Sequence, residues 1–194
     1  FKVGVHGQRG LSCADCHMPY VSEGAIKFSN HQIMSPLANI SRTCQVCHRE
    51  YEEELRNNVY AMQDRIQELR LLAENNLVHA HIEAKKAWEV GASADEMKPA
   101  LKLIRQGQWR WDFATASHGA AFHAPLETSR ILGNATQKAQ EARRLIGRIL
   151  AKHGVLEEVE LPDISTKEKA QLYIGLDMDK LRREKAEFLT QIVP

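Results

Sequence analysis

The chain has 194 residues, 43% of them hydrophobic and 26% charged, with 26 Lys and Arg against 25 Asp and Glu. That balance fits a globular protein and offers no positive field for nucleic acid, so no nucleic-acid partner is expected. The apolar runs are only a few residues long, too short for a membrane-spanning helix.

Residues 1–50 are rich in Gly, Ser, Asn and Pro and poor in periodic apolar positions, and they hold all four cysteines. These fall in two runs, Cys13-Ala-Asp-Cys16-His17 and Cys44-Gln-Val-Cys47-His48, each a C-x-x-C-H signature of covalent haem c. Two thiols three residues apart can add to the two vinyl groups of one porphyrin, and the following histidine becomes the proximal iron ligand. A four-thiolate zinc site would give no reason for a His after both pairs. A thioredoxin-like pair would need a βαβ setting, and a disulfide inside C-x-x-C is strained. The cofactors expected are therefore two haem c groups, whose apolar faces this segment would wrap and on which its order would depend. Haem c is attached outside the bacterial cytoplasm, so a periplasmic location is expected. No signal peptide is legible and residue 1 is Phe, so a processed, trimmed or partial chain is expected.

From Arg49 the pattern changes. Leu55, Val59, Met62, Ile66, Leu69, Ala73, Leu77, Ala80, Ala84 and Ala87 recur at steps of three and four. This spacing predicts an amphipathic helix of about 40 residues, roughly 60 Å long, with Gly91 as its C′ residue. Its seam must lie against another long helix, in this chain or a partner. Ser93-Ala-Asp-Glu96 is a capping box for a second helix, given an apolar side by Leu101, Leu103, Ile104, Trp109, Trp111 and Phe113 and fading near Ser117-His118-Gly119. Pro125 starts a third, with Leu132, Ala135, Ala139, Ala142, Ile146 and Ile149 as its stripe and Gly154 as its stop. It is expected to run antiparallel to the first. Residues 155–162 read as an extended connector. A second capping box, Ser165-Thr-Lys-Glu168, opens a short helix ending near Gly175, and Asp177 or Asp179 starts the last, ending near Ile192. The fold class expected is mainly α: a loop-rich haem-wrapping segment, 1–50, followed by a helical region, 51–194, the two forming one continuous domain with residues missing upstream.

With His17 and His48 as proximal ligands, the distal candidates are His6, His31, His79, His81, His118, His123 and His153. His6 is favoured because its neighbour Gly7 lets a backbone pass close to a ring. His118 and His123 compete from one loop. His79 and His81 point about 200° apart on the long helix and read as hydrogen-bonded or buried histidines. The five methionines read as core filling.

Several runs closely resemble the ammonia-forming pentahaem cytochrome c nitrite reductases. They are His6-Gly7…Cys13-Ala-Asp-Cys16-His17-Met18-Pro19, Leu77-Val-His79-Ala-His81-Ile-Glu83-Ala-Lys85, Gln108-Trp109-Arg-Trp111-Asp112, Ala116-Ser-His118-Gly119…His123-Ala-Pro125 and Leu161-Pro-Asp-Ile-Ser165-Thr-Lys-Glu-Lys169-Ala. The resemblance covers nearly the whole chain and corresponds to that family's C-terminal half. It implies that Cys13, Cys16 and His17 hold the fourth haem, with His123 as distal ligand. It likewise implies that Cys44, Cys47 and His48 hold the fifth, with His6 as distal ligand, and that His31 ligates a third haem whose attachment motif lies upstream. The family's catalytic haem uses C-x-x-C-K, which is absent here, so no catalytic residue is expected in this segment and the catalytic haem and calcium are expected upstream. The resemblance further implies nitrite as substrate, reduced to ammonia with six electrons. It implies a redox donor, either a soluble cytochrome or a membrane-bound quinol dehydrogenase, and a homodimer formed by the alanine-rich seams of the 50–90 and 125–153 helices. The alternatives are a dihaem electron-transfer cytochrome, or another multihaem oxidoreductase acting on hydroxylamine or a sulfur oxyanion.

Overall fold

The computed structural model describes residues 1–192. It divides into two compact units, Phe1–Leu156 and Glu157–Pro194. The protein is mainly α, with the expected loop-rich segment ahead of long helices.

The first unit opens with two short helices, α1 (Val5–Gln8) and α2 (Cys13–His17), then strands β1 (Tyr20–Glu23) and β2 (Ile26–Ser29). The strands pair antiparallel, with Glu23 opposite Ile26. Gly24, at φ +59°, starts the two-residue turn, a geometry that needs no Cβ at this position. This hairpin was not legible as such, since its Gly-Ala turn lacks the usual Asn-Gly or Asp-Gly signal. Three turns of 3₁₀ helix follow, at Pro36–Ala38, Ile40–Arg42 and Cys44–Val46.

Helix α3 spans Glu52–Glu89, 38 residues and about 57 Å long. Its C-terminal end is closed as the sequence predicts: Gly91 sits at φ +92°, its N–H donates to Trp88 O and that of Ala92 to Ala87 O, the Schellman pattern. Helix α4 spans Ala94–Ala116, with Ser93 and Glu96 forming the reciprocal capping box. A short helix α5 (Ala120–His123) leads into α6 (Pro125–Lys152), with Pro125 at the first helical position, where a missing N–H costs nothing.

Helices α3, α4 and α6 form an up-down-up bundle. Trp111 Nε1 donates to Arg70 O at 3.2 Å and His81 pairs with Gln108 at 3.4 Å, so α4 returns antiparallel to α3. Lys152 and His153 meet Glu96, so α6 runs antiparallel to α4. Ala73 packs with Leu132 and Ala135, and Arg143 meets Glu83 at 2.7 Å. The α3 and α6 helices are therefore parallel, not antiparallel as expected. The reason is that α4 takes the place of the return helix between them.

The core is built from small residues. Ala73, Ala80, Ala87, Ala135, Ala139 and Ala142 are all fully buried, which lets the helix axes approach closely. At Gly107 the approach is closest, since a Cβ there would lie 3.1 Å from Leu77 Cδ2 and 3.2 Å from Ala135 O. These alanines are covered by helices of the same chain. The expectation that they form a seam between two subunits is thus corrected: the bundle's own interior uses them. The buried face of α4 also differs from the expected aromatic side. Met97, Ala100, Ile104 and Gly107 point inward, while Leu101, Trp109 and Phe113 are exposed. Buried Thr128 and Thr136 donate to carbonyls four residues back, and Asn76 to Leu72 O, so none is left unsatisfied.

The second unit holds α7 (Lys167–Tyr173) and α8 (Met178–Ile192). The cap of α7 is Thr166, whose hydroxyl accepts from Lys169 N–H, rather than Ser165 as expected. Asp163 accounts for the shift of one residue, because it accepts from both the N–H and hydroxyl of Ser165. Asp177 caps α8 by accepting from Lys180 N–H.

Two outcomes test this packing. Ala139→Glu buries an unpaired charge between three helices and should destabilise the bundle by several kcal/mol, on the order of 3–5, read as a lost or lowered helical melting transition. Glu96 accepts from Ser93 N–H, Lys152, the Ser93 hydroxyl and His153, and these hold its pKa at about 2 against an ordinary 4.5. A depressed carboxylate contributes stability that is complete above pH 4.5 and lost as pH falls toward 2. Glu96→Gln should therefore flatten the acid dependence of the melting temperature across that window.

Candidate functional site

Helix α2 gathers the first motif. One turn of helix places residues three and four apart on one face, so Cys13, Cys16 and His17 emerge together. Ser12 opens this turn, its N–H and hydroxyl both donating to Asp15. The His17 Nδ1–H donates to the Met34 carbonyl at 2.9 Å, which leaves Nε2 as the nitrogen that can ligate iron. The second motif forms a tighter turn, in which the Cys44 carbonyl accepts from the N–H groups of Cys47 and His48. Buried Thr43 pins that turn by donating to Pro36 O and Asn39 O. The four thiols are unbridged. Burial, followed by the nearby Cys44, pushes the Cys16 thiol up. Among the described residues no group of three or more His, Cys, Asp or Glu is arranged to hold a metal ion.

The structure brings each motif histidine to a partner from elsewhere in the chain. The His17 and His123 rings have centroids 6.1 Å apart and planes crossed at 69°. His6 and His48 stand 6.2 Å apart, crossed at 73°. Two imidazoles on one metal, each nitrogen about 2 Å from it, have ring centres roughly 6 Å apart. The donor set thus fits two haem groups, each of which would have two thiols and a pair of imidazoles. Burial and the neighbouring His48 lower the pKa of His6, and burial and the neighbouring His17 lower that of His123. Both rings are favoured in the neutral form that ligation requires.

His123 is aimed by its surroundings. Gly119, at φ +74°, turns the chain out of α4, and a Cβ there would lie 2.9 Å from His123 Cε1. A Cβ on Gly4 would overlap the His123 carbonyl oxygen. The Thr128 hydroxyl donates to Ala124 O at 2.9 Å and lies 3.2 Å from Ala120 O, tying α5 to the start of α6. Phe1 meets the His123 ring edge-on at 5.8 Å.

The remaining candidates are not brought to either motif. His118 is exposed beyond the end of α4. His79 lies 4.0 Å from Glu83, His81 pairs with Gln108 and His153 with Glu96. His31 is exposed on the loop after β2. Gly7, read as making room for a ring, instead packs on backbone: a Cβ there would lie 2.5 Å from Phe1 O. Sequence reasoning missed Gly4, the Met34 carbonyl and the part that Gly119 plays against His123, none of which lies in a C-x-x-C-H motif. It also missed Phe122, which lies 5.5 Å from the His6 ring and 6.3 Å from that of His123.

Comparison with known proteins places this geometry. Residues 1–194 match the family model of cytochrome c552. A cytochrome c-552 of Porphyromonas gingivalis is 61% identical over 191 residues, covering 98% of this chain and 38% of that protein. One from Bacteroides fragilis is 63% identical over 193 residues, covering 100% and 39%. The chain therefore spans about two fifths of the length of the curated relatives it matches. Among solved structures, the cytochrome c nitrite reductase catalytic subunit of Desulfovibrio desulfuricans, described with two calcium sites, is similar with a TM-score of 0.70 and 33% identity, covering 76% of this chain and 32% of that one.

Gly119→Ala forces a side chain into a left-handed turn and against His123. With haem attached, this variant should keep both thioether-bound groups but lose low-spin character at one, measured by optical spectroscopy of the purified protein.

Proposed function

This chain belongs to the cytochrome c552 family, and from that footing we propose that it is the C-terminal part of a periplasmic, ammonia-forming cytochrome c nitrite reductase. In this reading the chain relays electrons and the nitrite chemistry takes place on residues upstream of Phe1. The observation that carries it is the pairing of each C-x-x-C-H histidine with a distant imidazole at 6.1 and 6.2 Å. Similarity to the Desulfovibrio nitrite reductase supports the substrate assignment.

Cys13 and Cys16, and Cys44 and Cys47, would anchor one haem c each, with His17 and His123 on the first and His48 and His6 on the second. Bound haem supplies a reversible one-electron couple at each position. The protein's part would be to supply two imidazoles to each haem, His17 with His123 and His48 with His6, so that neither site would offer substrate an open coordination place. Met34 O fixes the tautomer of His17, and α5 holds His123 opposite it. His31, exposed and free to meet another segment, would ligate a third haem. Calcium is assigned upstream, and the electrons come from a soluble cytochrome or a membrane-bound quinol dehydrogenase. A homodimer would form through exposed apolar residues such as Tyr60, Leu71 and Trp109, since the alanine seams are already covered.

Histidine replacement tests this reading in the matured protein. His123→Ala and His6→Ala should each leave the covalent haem count unchanged, convert one haem to high spin and let it bind carbon monoxide. Spectra that stay low-spin with no carbon monoxide uptake would remove the ligand assignment.

A further inference from the structure

The two histidine pairs are joined by one side chain. Among the described residues, Phe122 is the ring that contacts both His6, at 5.5 Å with planes 30° apart, and His123, at 6.3 Å with planes 60° apart. The rings of His48, His6, Phe122, His123 and His17 thus form a continuous series. Phe122 precedes His123 within α5, so one short helix carries both rings. It has no polar atom and plays no part in anchoring the haem thiols.

An axial imidazole can turn about its metal–nitrogen bond unless something packs against its face or edge. His123 has Phe1 at its edge as well, but among the described residues Phe122 is the aromatic ring in contact with His6 apart from His48 itself. We propose that Phe122 is a positioning residue for both distal ligands, a shared wedge that holds the His6 and His123 planes crossed to those of His48 and His17. The consequence is electronic. Crossed axial planes leave the two π-symmetry d orbitals of low-spin ferric iron nearly degenerate and raise its largest g value, whereas parallel planes split them and lower it. One residue would therefore tune two redox centres together, through ligand orientation.

This proposal rests on the ligand pairs assigned above, and the test separates the two. The fully matured protein containing this chain is examined by low-temperature electron paramagnetic resonance in the oxidised state, and the two signals are identified as those lost in His6→Ala and His123→Ala. Phe122→Leu removes the flat ring, and Phe122→Tyr keeps it. Phe122→Leu should retain the covalent haem count and the low-spin optical spectrum while moving the largest g value of both signals downward, and Phe122→Tyr should restore them. Should Phe122→Leu fail to mature, Phe122→Met carries the same readout. Two signals unmoved by loss of the ring, or movement of only one, would overturn the wedge and leave the ligand pairs standing. A parent protein lacking the two low-spin signals would overturn both.

Discussion

Two imidazoles can share one iron only if their rings face each other about 6 Å apart, and this distance tolerates little error. A proximal histidine has its position dictated by the thiols beside it. A distal histidine has no such tether, so the fold must deliver it. In this chain the delivery is made by backbone packed on backbone. Gly4 lies against the His123 carbonyl and Gly119 against its ring, and both would be displaced by any side chain. The first turn of the chain and the α4–α6 connection are thereby held at one fixed separation, and the remaining structure serves that separation.

The helical bundle supplies the rigidity. Alanines at the closest crossings bring the helix axes together, and Met97, Leu132 and Ile146 fill the space around them, so α6 cannot slide against α4 without opening a gap or a clash at Gly107. Thr128 then carries that rigidity into α5 by its hydrogen bond to Ala124 O. The ion pair of Arg143 with Glu83 fixes the register of α6 along α3. It is half-buried, with both groups hydrogen-bonded, and so acts more through geometry than through net energy.

Much of this was legible from the residues. The two haem motifs announce their chemistry because few other uses need both cysteines and the trailing histidine. The ends of α3, α4 and α6 were legible because Gly91, Ser93, Pro125 and Gly154 act locally. Helix direction was not, since periodicity tells which face is buried and says nothing of which way a neighbour runs. The α3–α6 alignment follows from α4 lying between them, a fact of tertiary packing. The cap at Thr166 was misread by one residue because Asp163 competes for Ser165. The choice between His118 and His123 could not be read from spacing. After the left-handed turn at Gly119, His118 is exposed and the His123 ring lies 6.1 Å from that of His17, which is why His123 is the one proposed as ligand. Phe122 was invisible because an aromatic beside a histidine has no signature of its own.

The two histidine pairs differ in how much chain each encloses. His6 and His48 are 42 residues apart, and His17 and His123 are 106 apart. Closing the longer loop costs about 0.8 kcal/mol more in chain entropy, a modest difference. The order of emergence is the larger one. A polypeptide threaded from its amino end has both members of the shorter pair exposed long before residue 123 arrives. Under the proposed ligand pairs, the centre at His48 would be completed while the bundle is still unmade, whereas the one at His17 would wait for α3 and α4 to fold back and present its partner.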